Sequence, residues 1–289
     1  MDYRAKFRVP PDTKVRLADI DAGATGKHAD PAAADPVIRR SCERLRELQD
    51  LLYAEAARSV LIVLQAMDTG GKDGTMDHVL GSMNPQGAYV HAFKVPSAEE
   101  AAHDFLWRAH RVAPAHGQIA IFNRSHYEDV LVTRVHDLVP KAVWSKRYDR
   151  INEFEKNLVQ SGTHILKFFL HISPEEQLQR FKQRLDDPHK QWKISESDYT
   201  ERAYWDEYTK AYEAVLERTS TQRAPWFIIP ANHKWFRNLA VSRIVVEALA
   251  ELGMHYPAPS VDLEDIAQKY HAAAESAHAT NHGATVDGV

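Results

Sequence analysis

Apolar side chains recur at three- and four-residue steps through Ile38, Cys42, Leu45, Leu48 and Leu52, which predicts an amphipathic helix over 36–57. From residue 59 onward, short apolar runs alternate with helical stripes. Strands are predicted at 59–66, 89–95, 119–122, 165–172 and 226–230. Helices are predicted from 71 to about 83, from 97 to about 112, over 127–135, and along the stripe Val143, Tyr148, Ile151, Phe154 and Leu158. The run ILKFFLHI at 165–172 is too apolar for a sheet edge and suits a central parallel strand. Ser173, Pro174, Glu175 and Glu176 then supply an N-cap, a first-turn proline and early acids. After Leu185 the chain is polar and proline-broken until Tyr204, Tyr208, Ala211, Tyr212 and Val215 resume a stripe. A last helix runs from 234 to about 252 and stops at Gly253.

Strands separated by helices imply an α/β fold: a three-layer sandwich around a five-stranded, mainly parallel sheet, with its ligand crevice beyond the strands' carboxyl ends. The organisation read from the sequence is an extended segment over 1–35, one domain over 36–255 with a polar lid at about 180–200, and a tail over 256–289. Residues 271–289, rich in Ala, His, Thr and Gly, lack apolar periodicity and read as mobile. With 289 residues, 44% hydrophobic and 26% charged, the chain has the composition of a folded globular protein. Its single cysteine, Cys42, cannot form an internal disulfide and fits a reducing compartment. No leader-like opening and no apolar run of about 18 residues is present, so a cytoplasmic protein with no membrane partner is expected. The net charge of −4 gives no global attraction to nucleic acid, and none is expected as a partner. A polyanion would have to meet local clusters, either Arg4, Lys6, Arg8, Lys14 and Arg16 or Arg180, Lys182, Arg184, Lys190 and Lys193.

The chemistry concentrates at 60–75, where VLIVLQAMDTGGKDGT breaks from an apolar run into a glycine-rich turn. From Ala66 to Lys72 the spacing is that of G-x-x-x-x-G-K, in which backbone N–H groups cradle a phosphate and the lysine reaches a transferring phosphoryl group. Gly70, Gly71, Lys72, Asp73, Gly74 and Thr75 are the expected phosphate-binding stretch. Ala66 replaces the first glycine, and Asp73 stands where a hydroxyl would meet Mg²⁺, so Asp68 is the natural substitute metal ligand. The topology should bring IFNRSHYED at 121–129 to the same place. There Asn123 ends the strand and could touch the metal weakly or through water, while Arg124 can neutralise phosphate charge. Glu128 and Asp129 open the next helix, and Arg134 lies about two turns on. Arg180 and Arg184 share a helix face and lead into Lys193, as a lid closing over a polyanion would require.

Three blocks, AMDTGGKDGT at 66–75, FNRSHYEDVLVTRV at 122–135 and QRFKQRLDDPHKQWK at 179–193, resemble the polyphosphate kinase 2 family from about Leu45 to Leu249. The resemblance implies a P-loop kinase-like fold, inorganic polyphosphate as phosphoryl donor, nucleotides as acceptors, Mg²⁺, and a homodimer or homotetramer. By position it assigns Asp68 to the metal, Lys72 and Arg124 to phosphate, and Arg180, Arg184 and Lys193 to the lid. The family's commoner D-R-S-W-Y-N-R is replaced here by N-R-S-H-Y-E-D, similar to the subclass that phosphorylates both AMP and ADP, giving ADP and ATP. Glu128 would then be linked to AMP use, with Tyr127, Asp129 and Arg134 as further candidates on the nucleotide. Two rivals stand beside this: an ATP-dependent kinase on the same scaffold, and a binding regulator with a degenerate loop.

Overall fold

The computed structural model describes residues 2–28 and 30–283. Five strands, Ser59–Ala66 (β1), Ala88–Ala92 (β2), Ile119–Asn123 (β3), Thr163–His171 (β4) and Trp226–Pro230 (β5), form one parallel sheet in the order β2-β3-β1-β4-β5. β1 is flanked by β3 and β4, with Leu64 opposite Asn123 and Ala66 opposite Leu170. The turns that leave β1 and β3 are therefore neighbours, as the sequence predicts.

The order also distributes the helices. The step from β1 to β2 runs one way across the sheet and every later step runs the other way, so right-handed crossovers place their helices on opposite faces. One face carries Lys72–His78 with Lys234–Ala250, and the latter packs against Pro31–Glu55. The other carries Arg147–Gln160 and Trp205–Thr219, packed together. All of β1 is buried, as a strand covered on both faces must be. Fully burying each of Val60 through Leu64 contributes about 1.5–3 kcal/mol per side chain.

One buried charge crosses these layers. Lys167, inside β4, donates to Glu155 at 2.6 Å, to the Tyr127 hydroxyl at 2.9 Å and to the Thr219 carbonyl at 2.7 Å. Removing one partner of such a pair costs about 3–5 kcal/mol. The network fastens the turn after β3 to two helices and the sheet.

The observed elements depart from the expected ones where local polar groups intervene. The expected helix over 97–112 is two short ones, Ala98–Ala102 and Trp107–Arg111, because His103 leaves the helical region and Asp104 accepts from the Leu106 N–H. The helix over 127–135 is instead a 3₁₀ turn, His126–Val130, followed by Val132–Val135. Lys141–Trp144 is separate from Arg147–Gln160, which leaves Val143 exposed. The helix over 71–83 ends at His78 and continues as a 3₁₀ turn, Leu80–Ser82.

The segment over 1–35 is more than extended chain. It forms a helix, Tyr3–Phe7, and pairs Arg8 with Phe227 in an antiparallel bridge at the start of β5. Of its basic cluster, Arg4 and Arg8 thus lie away from the strands' carboxyl ends, with Arg4 paired to Glu251 and Arg8 bonded to the Gln222 carbonyl. The first long helix begins at Pro31, capped by Asp30. From Tyr256 the chain forms a second unit. There the expected tail is a helix, Leu263–Gly283, started by Asp262. Alanine propensity, seen in Ala267, Ala272, Ala273, Ala274 and Ala277, builds it without a core-facing stripe. Residues 284–289 of that tail lie outside the described residues. No helix among the described residues is long and apolar enough to cross a membrane.

Candidate active site

β1 stops at Ala66 and the chain coils tightly before Lys72 opens the next helix. The coil depends on glycine. A Cβ at Gly70 would stand 2.5 Å from that of Ala66, and Gly71 has φ +103°. Thr69 and Arg124 both adopt left-handed backbone, at φ 60° and 57°, which side chains other than glycine tolerate only when their surroundings enforce it. For Arg124 the enforcement is visible: its N–H donates to the Leu64 carbonyl at 3.1 Å, and its Nη2 donates to Asp68 Oδ1 at 2.9 Å. Lys72 folds back over the loop, donating to the Ala66 carbonyl at 3.1 Å, and the Tyr212 hydroxyl donates to the same oxygen at 3.1 Å.

Asp68, Lys72, Arg124 and Glu128 form one electrostatic cluster. Burial lowers the Lys72 pKa and Arg124 lowers it further, against Asp68 and Glu128. Burial raises the Glu128 pKa, with Arg124 and Lys72 opposing. Arg124 is held above its ordinary value despite burial, by Glu128 and Asp68. The arrangement is a cation pair on a backbone loop, moderated by two carboxylates, and it suits an arriving phosphate chain.

Other expected residues lie elsewhere. A 3₁₀ turn has three residues per revolution, so Tyr127, Glu128 and Asp129 project in three directions and only Glu128 enters the cluster. Tyr127 is buried and donates to Glu155 at 2.7 Å. Asp129 is buried between Arg108 and Arg147, each at 3.1 Å. Arg134 donates to the Tyr148 hydroxyl and stacks over Trp144. The Thr75 hydroxyl is turned back onto the Gly71 carbonyl. Arg180 is not part of an open claw: it is 5% exposed and donates to Glu176 and to the carbonyls of Thr69, Ala231 and Asn232. Arg184 pairs with Asp198 at 3.3 Å and bonds the Lys193 carbonyl, while the Lys193 ammonium lies over the exposed Trp192 ring. The segment read from the sequence as a lid forms a 3₁₀ turn, Gln191–Lys193, and a helix, Glu196–Arg202.

With this geometry in place, comparison with known proteins is decisive. The polyphosphate kinase 2 family model matches residues 31–255. The chain belongs to the polyphosphate kinase 2 family. A Meiothermus ruber protein named AMP/ADP-polyphosphate phosphotransferase is 52% identical over 266 residues, 90% of this chain and 98% of its own. A Rhodopseudomonas palustris protein named ADP-polyphosphate phosphotransferase is 44% identical, covering 87% and 91% respectively. The crystal structure of polyphosphate kinase 2 from Arthrobacter aurescens superposes with a TM-score of 0.90 at 42% identity, covering 95% of this chain and 97% of that one.

Several site residues of this polyphosphate kinase 2 chain escape a reading of sequence alone. Tyr208 and Tyr212 read there as stripe positions, yet the Tyr212 hydroxyl donates to the Ala66 carbonyl that Lys72 also meets, and Tyr208 donates to Glu201 of the helix Glu196–Arg202 at 2.8 Å. Their signal was a tyrosine where leucine would pack, since a buried hydroxyl needs a partner. Gln177 holds the Asp68 carbonyl at 3.0 Å, and Asp198 feels the charges of Asp68 and Arg124. Among the described residues no group of three or more His, Cys, Asp or Glu could hold a metal. The sparse donor set still suits Mg²⁺, which keeps waters and takes substrate oxygens beside one or two carboxylates. Asp68 spends only Oδ1 on Arg124, while Asn123 donates to Asp73 at 3.3 Å.

The turn carrying Glu128 has a pH-sensitive neighbour. His126 is fully buried, both ring nitrogens lack a hydrogen-bond partner, and Glu155 Oε1 is 3.6 Å away. Burial lowers its pKa, with Glu155 opposing. The unfolded chain therefore takes up a proton near the ordinary histidine value while the native state does not, and stability falls as pH drops below it. Between pH 7 and pH 5 the unfolding free energy from urea titration should fall less for His126→Phe than for the parent, by up to about 1.4 kcal/mol per pH unit below ~6.5. Equal losses in the two proteins would show that His126 ionises freely in the fold.

Proposed function

We propose that this enzyme transfers the terminal phosphoryl group of inorganic polyphosphate to AMP and to ADP, giving ADP and ATP. The observation that carries the reading is the convergence of Asp68, Lys72, Arg124 and Glu128 at the ends of β1 and β3 in a member of this family. The relatives named for AMP/ADP and ADP phosphotransfer support the acceptors.

A terminal phosphate oxygen of the nucleotide attacks the end phosphorus of the chain in line. The new P–O bond forms as the bridging P–O bond breaks, and its electron pair leaves with the shortened polyphosphate. The attacking oxygen is already ionised near neutral pH, so no carboxylate base is needed. Catalysis comes from positioning and charge neutralisation. Lys72 exchanges the Ala66 carbonyl for a donor oxygen, the loop N–H groups at Gly71, Asp73 and Gly74 hold the same phosphate while that of Gly70 closes the turn onto the Met67 carbonyl, and Arg124 spans donor and acceptor. Asp68, with Asn123 beside it, would hold Mg²⁺, which when bound neutralises phosphate charge. Glu128 faces Arg124 and Lys72 from the acceptor side and tunes AMP use. Arg184 and Lys193 exchange their contacts within the lid for the polyanion as the lid closes. A homodimer or homotetramer in the cytoplasm completes the reading, supported by the family resemblance and by unpaired Cys42.

With polyphosphate as sole donor and Mg²⁺ present, AMP should yield ADP and then ATP, and Lys72→Ala should lower turnover by about 10²-fold or more. Products formed only when ATP is supplied would replace the donor, and binding without turnover would replace the enzyme. In the same assay Glu128→Ala should depress AMP phosphorylation several-fold more than ADP phosphorylation. Equal losses with both acceptors would remove Glu128 from acceptor selection.

A further inference from the structure

Arg237, in the first turns of Lys234–Ala250, is 2% exposed, yet it takes part in none of the ion pairs among the described residues. Its Nε and Nη2 both donate to the neutral amide oxygen of Asn238, at 3.1 and 2.8 Å, and Nη1 has no acceptor among the described residues. Buried guanidinium groups ordinarily have a carboxylate partner because an unpaired charge in a low dielectric is expensive. Here the nearest charged neighbour repels. Burial, and then Arg180, lower the Arg237 pKa to about 10.

This charge lies directly against the glycine-rich loop. A Cβ on Gly71 would meet Arg237 Nη1 at 1.9 Å, and one on Gly74 would meet Nη2 at 3.0 Å. Arg180 Nη1 lies 3.4 Å from the same Gly71 position and donates to the Thr69 carbonyl at 2.8 Å. Two guanidinium groups thus lie against the glycine-rich loop at Gly71, and only Arg180 has a carboxylate, Glu176 at 2.7 Å. Lys234, nearby, donates to the neutral Gln183 side chain.

We propose that Arg237 is a positioning residue for the phosphoryl donor: its uncompensated charge loads the backbone at Gly71 and Gly74, and the load is relieved when a polyphosphate end fills the loop from the other side. The free enzyme gives up stability, and bound donor restores it. This rests on the donor reading above. The residue acts through the loop backbone and does not touch the nucleotide, so its effect falls on the donor alone.

The test compares the parent with Arg237→Met, which keeps the stem and removes the charge, and Arg237→Lys, which keeps a charge. Melting temperature is measured with and without tripolyphosphate, and KM is measured separately for polyphosphate and AMP. Arg237→Met should melt at or above the parent without ligand, lose most of the tripolyphosphate-induced shift, and raise the polyphosphate KM about tenfold with the AMP KM unchanged. Arg237→Lys should recover part of the shift. A Met variant that melts lower but keeps the parent's shift and polyphosphate KM would make Arg237 a packing wedge. Should the Met variant fail to fold, the Lys variant decides: a polyphosphate KM and tripolyphosphate shift nearer the parent's than to none support the charge, and complete loss of both overturns it. A parent that shows no polyphosphate turnover would fail the donor reading itself, a result distinct from any contrast among the variants.

Discussion

The ion pair between Asp68 and Arg124 joins the loop after β1 to the turn after β3, and everything at the site is arranged around it. The sheet order makes it possible by placing β1 and β3 side by side. Two left-handed residues, Thr69 and Arg124, hold the backbone in the shape it needs. Such conformations persist when surroundings over-determine them, and here the Leu64 carbonyl, the Gln177 amide and the buried Lys167 network do so from three directions. Stability in the core is thus converted into a fixed spacing between one loop cation and one strand-end cation.

The distribution of charge follows the same logic. Away from the site, buried charges are matched: Lys167 with Glu155, and Arg108 and Arg147 with Asp129. At the loop one is not, since Arg237 has only the Asn238 amide. Local imbalance of this kind is a feature of sites that await an ionic substrate. The polar segment after Phe181 is the reverse case, with Arg184 neutralised by Asp198 and Lys190 by Asp187 within the segment itself.

The sheet was legible in the sequence because its strands are short, apolar and bounded by turn residues. Val60–Leu64 and Ile165–Leu170 could hardly be anything but covered strands. Asp68, Lys72 and Arg124 were legible because motif spacing and parallel topology together place them at one crevice. Directions within a turn were not legible. A helical reading of 127–135 suggested that Tyr127, Asp129 and Arg134 could share a task with Glu128, and the 3₁₀ geometry separates them. Arg180 looked like a lid cation because its helix spacing matches Arg184, while its contacts lie with carbonyls far along the chain, at Ala231 and Asn232. Arg237 lacked any motif, and Gly71 and Gly74, read as phosphate-binding backbone, prove also to be clearances for its side chain. The C-terminal helix was missed because alanine propensity leaves no periodic trace.

The central claim is that Asp68 and Arg124 act as one unit, and a double-mutant cycle measures this directly. kcat/KM with polyphosphate and ADP is determined for the parent, Asp68→Asn, Arg124→Gln and the double variant. Residues that act together are strongly non-additive. The double variant should be scarcely slower than the worse single variant. Losses that multiply, with no coupling between the two positions, would contradict the account.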